Sequence, residues 1–153
     1  TVAVEVGLVA ACITFIYRIS SLSRCVEVSA ADYPSYPALA GRVAAYRLYG
    51  ALFFGAVKLI EDLQDQLKGE TLVLDLKNLI YIDSSGADAL NDLARACFKH
   101  GVQLRVCGLT HQPLDICQRC GFLDAVGLDH IHPHLAAAMA AALTPQAAPT
   151  RAP

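Results

Sequence analysis

Uncharged, mostly apolar residues fill positions 6–17 of the chain, between Glu5 and Arg18. A membrane-spanning helix needs about 20 apolar residues, so this run is too short to cross a bilayer unaided. The pattern predicts one of two structures, a buried amphipathic helix or the end of a membrane helix. Tyr17 and Arg18, followed by Arg24, are placed as at an exit into the cytoplasm, which favours the membrane helix.

Residues 20–41 follow no helical or strand period. Pro34 and Pro37 exclude a regular helix there, because proline lacks the backbone N–H and clashes with the preceding turn. We expect a linker that becomes ordered against the following domain, with a short edge strand at residues 25–28.

From residue 42 onward, short apolar runs alternate with segments whose apolar residues recur at the helical period. Residues 71–76 are almost continuously apolar, as in a strand that is covered on both faces. Gly50 interrupts an apolar stretch and predicts a turn or bulge between two strands. The predicted strands cover residues 42–48, 51–54, 71–76, 79–82 and 102–107, with a short strand or turn at Ile131. The predicted helices cover residues 55–67, 87–100, 112–120 and 134–143, and residues 144–153 are expected to be disordered.

This order of elements predicts an α/β fold in which parallel strands are joined by right-handed crossovers. The 153 residues suffice for one ordinary domain. The net charge is −2 and no run of basic residues occurs, so the composition does not favour nucleic-acid binding. The six cysteines lie mostly in apolar segments, which is typical of free thiols in a reducing compartment.

A family resemblance rests on four short stretches that make up three segments. Residues 47–56 read RLYGALFFGA, residues 72–76 and 82–86 read LVLDL and IDSSG, and residues 104–109 read LRVCGL, with a helix and Gly121 after them. In this order and spacing they resemble the STAS domain, the fold shared by sulfate transporters and anti-sigma-factor antagonists. The strand that contains Phe-Phe-Gly-Ala resembles the transporter branch.

Two further stretches refine the resemblance. Residues 1–7 look like the start of the last membrane helix of SulP-type anion transporters, and residues 104–114 resemble the dicarboxylate-transporting bacterial members. The implied fold is a small mixed β-sheet packed with about four helices and preceded by a short membrane-associated helix. The implied organisation is the end of the last transmembrane helix at 1–19, a linker and edge strand at 20–41, a STAS domain at 42–143 and a disordered tail at 144–153.

The resemblance implies a non-enzymatic, cytoplasmic regulatory or interaction domain of a secondary anion transporter in the cell inner membrane. The transported anion would be sulfate, bicarbonate or a dicarboxylate. Implied partners are the membrane domain of the same transporter, a second copy in a homodimer, a cytosolic protein such as acyl carrier protein, and an anion or nucleotide, with no cofactor. The alternative is a free-standing antagonist of an anti-sigma factor, controlled by a serine kinase.

The segment Asp83-Ser84-Ser85-Gly86 joins a predicted strand to a predicted helix. A helix start carries unsatisfied N–H donors and partial positive charge, so this loop is a candidate site for an anion, a phosphate or a protein partner. An ordinary N-cap, with Gly86 relieving a tight turn, explains the same residues. In the antagonists, the serine that matches Ser84 is phosphorylated, which makes Ser84 a candidate for phosphorylation here.

Other chemistry is less favoured by the sequence. Serine catalysis lacks a base, because nothing brings His100 or His111 to Ser84. Cys117 and Cys120 form one C-x₂-C pair, whereas a zinc ribbon needs two such pairs. Their helical spacing favours core packing, and the histidines at 130, 132 and 134 are interrupted by Pro133. We therefore predict no metal site and no catalytic residue.

Overall fold

The structure is a computed structural model that describes residues 1–28, 42–53, 57–67 and 69–143. Its helices are α1 (Val2–Leu22), α2 (Val57–Asp65), α3 (Ser84–Lys99), α4 (His111–Arg119), α5 (Phe122–Val126) and α6 (Leu135–Leu143), with a 3₁₀ turn at Leu128–His130. Its strands are β1 (Arg24–Val28), β2 (Val43–Leu52), β3 (Thr71–Asp75), β4 (Leu79–Ile82), β5 (Gln103–Cys107) and β6 (Ile131–His132). The predicted tail at residues 144–153 and most of the predicted linker lie outside the described residues.

The strands form one mixed sheet in the order β1-β2-β3-β5-β6, and β4 pairs with β2 beside this path. The pairs β2–β3, β3–β5, β5–β6 and β2–β4 are parallel, whereas β1 runs antiparallel to β2. The predicted small mixed α/β sheet is confirmed. The prediction of parallel pairing holds for every pair except that of the edge strand β1.

The prediction of two strands separated at Gly50 is wrong, because β2 runs through this residue. The strand is continuous, and it changes its parallel neighbour along its length: residues 43–47 pair with β3, and residues 50–52 pair with β4. The register shifts between Gly50 and Ala51. Gly50 has φ +87°, a left-handed conformation that glycine adopts readily, so the chain bends here without ending the strand. The predicted strand end at Phe54 and helix start at Gly55 lie outside the described residues.

The sheet is covered on both faces, as the apolar run at residues 71–76 predicts. Leu72 and Leu74 of β3 pack in the main core, together with side chains of α2, α3 and α5. Val73 points to the opposite face and packs in a smaller cluster with Ala138 and Met139 of α6. Burial of each leucine or valine side chain stabilises the fold by about 1.5–3 kcal/mol, so β3 is the centre of the domain.

Helix α1 stands apart from this core. Its side chains are exposed wherever the structure describes them, at residues 2–18 and at Leu22. Within this chain, α1 therefore lacks the buried side chains that the alternative of a buried amphipathic helix predicts. Among the described residues, no helix has both the length and the apolar character that a membrane crossing requires.

Candidate functional site

The candidate loop is the start of α3, which follows β4 after a single residue. Asp83 is the N-cap, with an extended backbone, and its side chain accepts a hydrogen bond of 2.8 Å from the backbone N–H of Gly86. Helix α3 begins at Ser84, earlier than the predicted start after Gly86, because this cap satisfies a donor of the first turn. Ser84, Ser85 and Gly86 are thus the first turn of the helix, and the capping role predicted for this loop falls to Asp83.

The two serines differ in accessibility. Ser84 is exposed, whereas Ser85 is half-buried. Within the described part of the chain, neither hydroxyl takes part in a hydrogen bond. Ser84 therefore presents a free hydroxyl to solvent at the positive end of a 16-residue helix. The carboxylate of Asp83 already lies at this helix end, so an anion would share the positive field with it.

Gly86 is required by a close approach to β2. A Cβ atom at this position would lie 2.3 Å from the backbone oxygen of Leu52, a distance that no real Cβ adopts. The same oxygen accepts a hydrogen bond of 3.0 Å from the backbone N–H of Asp83. Gly86 is therefore needed for helix-to-strand packing, a reason that the sequence did not indicate.

Gln112 at the start of α4 also holds the loop, and sequence reasoning missed it. Its side-chain oxygen accepts a 2.9 Å hydrogen bond from the N–H of Ile82, and its side-chain nitrogen donates a 2.7 Å bond to the carbonyl of Ile82. The amide thus pairs with the end of β4 as a neighbouring strand would. No sequence pattern indicates this contact, because the two residues are 30 positions apart. The preceding residue, His111, has a left-handed backbone with φ +53°.

Two exposed apolar residues precede the first turn of α3 in the sequence. Ile80 and Tyr81 of β4 are 74% and 49% exposed, unusually high values for strand residues of this size. Successive side chains of a strand point to opposite faces, so these two residues expose apolar area on both sides of β4.

The histidines considered for catalysis do not approach Ser84 in a catalytic arrangement. His100 caps the C-terminal end of α3, and the rise of a 16-residue helix places it about 24 Å from Ser84. His111 is exposed beside Gln112, and no hydrogen bond joins its ring to Ser84 within the described residues. Among the described residues, neither histidine forms a hydrogen bond with Ser84.

The cysteines and histidines considered for a metal have separate structural roles. Cys117 is buried in the main core, where burial raises the pKa of its thiol to about 12. Cys120 is half-buried and its thiol donates to the backbone oxygen of Cys117. His134 accepts a hydrogen bond from the backbone N–H of Ala137 in the first turn of α6. Over the ranges that the structure describes, no three metal-binding side chains are grouped.

His130 and His132 belong to a polar cluster around Arg105, which is only 1% exposed. Arg105 donates to the Nε2 atom of His132 at 3.0 Å and to the side-chain oxygen of Gln103 at 3.2 Å. The side-chain nitrogen of Gln103 lies 3.2 Å from Nε2 of His130, whose Nδ1 lies 3.0 Å from the carbonyl of Val126. Because arginine can only donate, His132 must accept through an unprotonated Nε2.

Acidification is expected to destabilise the domain through His132. Burial, then the charge of Arg105, and then His130 lower the pKa of His132 below its ordinary value of 6.5. The unfolded chain therefore binds this proton at a higher pH than the folded chain. The stability that this group contributes is therefore complete above pH 6.5 and is lost progressively as the pH falls below it.

Urea unfolding between pH 7.5 and pH 5 measures this effect. In the variant His132→Gln, a side-chain oxygen replaces Nε2 as the acceptor and cannot be protonated. The free energy of unfolding of the wild type should therefore fall towards, or below, that of the variant as the pH is lowered. A pH-independent difference would contradict the role of His132.

The chain is similar to a known protein family and to a curated bacterial protein. The model of the STAS domain family matches residues 38–138 of the chain. YvdB of Bacillus subtilis (strain 168), whose name provisionally assigns it to sulfate transport, is 29% identical over 140 residues. The match covers 87% of this chain and 26% of YvdB, so the chain spans about a quarter of that relative.

Solved structures share the fold. The SulP transporter STAS domain from Vibrio cholerae is 25% identical, with a TM-score of 0.62 over 74% of this chain and 94% of that chain. The murine Solute Carrier 26 family member A9 anion transporter is 19% identical, with a TM-score of 0.71 over 91% of this chain and 25% of that chain. The anti-sigma factor antagonist SpoIIAA is 16% identical, with a TM-score of 0.56 over 76% of this chain and 92% of that chain.

Proposed function

Because this chain belongs to the STAS domain family, we propose that it is the cytoplasmic regulatory domain of a SulP-type anion transporter. The observation that carries the proposal is the match to YvdB, which takes in most of this chain and only a quarter of the relative. Translocation of the anion, in the class of sulfate, bicarbonate or dicarboxylates, would occur in a membrane domain outside this chain. The domain itself would act by binding and not by catalysis.

Helix α1 is, in this proposal, the end of the last membrane helix. Its exposed apolar side chains lie on every side, which suits contact with lipid or with other membrane helices and not with the STAS core. The match to the murine anion transporter covers a share of this chain too large to be reached without part of α1. Tyr17 and Arg18 would lie at the interface of the inner membrane, with the sheet on the cytoplasmic side.

The start of α3 is the proposed regulatory surface. Ser84 offers an exposed hydroxyl, Ile80 and Tyr81 offer apolar area, and the first turn of α3 offers a positive helix end. A phosphate on Ser84 would add about −1.5 to −2 charge beside the carboxylate of Asp83 and would change what this surface binds. Candidate partners are a cytosolic protein, with acyl carrier protein as the family-based example, and an anion or nucleotide. A homodimer of the full-length transporter belongs to the same proposal.

Ser84 is expected to be the modified serine if this surface is switched by phosphorylation. The test is mass spectrometry of the protein purified from its native cells, with Ser85 as an internal control because its side chain is half-buried. We expect a phosphopeptide that carries the group on Ser84 and none on Ser85. Protein that is always unmodified at Ser84, under every growth condition sampled, would leave partner docking as the role of the surface and remove the phosphorylation.

A free-standing antagonist is the second candidate function, favoured by the fold shared with SpoIIAA. The two candidates differ in what precedes Thr1 in the gene. A transporter requires a long series of hydrophobic segments upstream, whereas an antagonist requires a start codon close to Thr1. The apolar surface of α1 favours the transporter, since a free antagonist has no use for it.

A further inference from the structure

Helix α1 is joined to the sheet by one buried serine. Only Ser23 separates the last residue of α1 from the first residue of β1, and it is 9% exposed. Its hydroxyl donates a 2.6 Å hydrogen bond to the carbonyl of Ala51 in β2, and the N–H of Ala51 lies 3.4 Å from the same oxygen. The next residue, Arg24, stacks its guanidinium 4.5 Å from the ring centre of Tyr49. The end of α1 is thus fixed to β2 by side-chain contacts.

The bulge in β2 makes room for this junction. A Cβ atom on Gly50 would lie 3.0 Å from the backbone oxygen of Leu22 and 3.1 Å from the Cα of Ser23. Gly50 also has the left-handed backbone that glycine tolerates. The bulge and the helix end therefore fit each other, and neither can move far without the other.

Leu52, the residue after Ala51 in β2, contacts the start of α3, which is the proposed regulatory surface. The carbonyl of Leu52 accepts the N–H of Asp83 at 3.0 Å and abuts Gly86. Ala51 faces the junction with α1 while Leu52 faces the start of α3. Two adjacent residues of β2 thus contact the end of α1 and the start of α3. A regulatory domain requires communication between these two parts of the molecule.

We propose that residues 50–52 of β2 couple the start of α3 to the end of α1, so that a change at Ser84 alters how the domain is held on the membrane helix. The inference rests on the proposed function for its biological meaning. The coupling itself is a property of this chain and requires neither transport nor a partner. Coupling of this kind is reciprocal: a change at Ser23 must affect Asp83, and a change at Asp83 must affect Ala51.

Amide hydrogen exchange of the 153-residue chain in detergent micelles, read by NMR, tests both directions. Ser23→Ala removes the hydroxyl bonded to Ala51, and we expect the amide of Asp83 to exchange at least about fivefold faster, the lower end of typical couplings. In the reverse direction, Asp83→Ala is expected to accelerate exchange of the amide of Ala51. The amide of Gly127, bonded to the carbonyl of Leu123 in α5, should keep its wild-type rate in both variants.

Two glycine variants separate coupling from backbone strain. Gly101 has φ +70° with open space around a Cβ, whereas Gly50 has a similar φ and contacts Leu22. Gly50→Ala should accelerate exchange at Asp83, and Gly101→Ala should not. An unchanged Asp83 amide in Ser23→Ala, or an equal acceleration at Gly127, would overturn the coupling. Either result leaves the transporter assignment intact, because that assignment is tested by anion uptake.

Discussion

Replacing Gly86 with alanine is expected to destabilise the domain by up to about 2 kcal/mol, although alanine is the better helix former. Helix propensity alone predicts a gain of about 1 kcal/mol for this change. The new methyl group would lie 2.3 Å from the backbone oxygen of Leu52, and backbone cannot move aside as a flexible side chain can. Overpacking of a close contact costs about 1–3 kcal/mol, so the contact decides the sign.

Urea unfolding of Gly86→Ala, compared with Ser85→Ala, measures this effect. Ser85 is the preceding residue of the same helical turn and is half-buried, so its substitution tests the turn without the close approach. The urea concentration at the midpoint of unfolding should fall clearly for Gly86→Ala and change little for Ser85→Ala. A variant Gly86→Ala as stable as the wild type would show that α3 and β2 are not in the close contact described.

The strands and helices of the core could be predicted because their patterns are local. The run at residues 71–76 is apolar at nearly every position, and β3 is buried on both faces. The spacing of Cys117 and Cys120 favoured packing within a helix, and Cys117 is a buried residue of α4. In both cases neighbouring residues in the sequence determine the environment, so the sequence carries the information.

The features that position the candidate site could not be predicted because they join residues far apart in the sequence. Gln112 pairs with Ile82 across 30 positions, and Leu52 meets Asp83 and Gly86 across a similar separation. Glycine is typical of turns, but β2 continues through Gly50 because β4 replaces β3 as the neighbouring strand. Which strands become neighbours is decided by the tertiary fold, and a one-dimensional pattern does not record it.

Removing residues 42–143 from the full-length protein is expected to have the largest functional effect. These residues contain both the proposed regulatory surface and the strand β2 on which α1 is fixed through Ser23. Their loss would leave the end of the membrane helix without the contacts to Ala51 and Tyr49 that now hold it. Because couplings between sites commonly change an equilibrium by 5–150-fold, we expect uptake to change by at least about fivefold per transporter molecule.

Anion uptake by the full-length protein, with and without residues 42–143, is therefore the most direct test of the account. Radiolabelled sulfate, bicarbonate and a dicarboxylate would be supplied to cells or proteoliposomes, with transporter abundance and oligomeric state measured in parallel. Gly101→Ala serves as a control for backbone strain within the domain, because its Cβ would meet no neighbour, and uptake per transporter molecule should stay unaltered. We expect uptake of at least one of these anions and a marked change when the domain is removed. No uptake of any of them by the full-length protein, or unchanged uptake, abundance and oligomeric state after removal, would contradict this expectation.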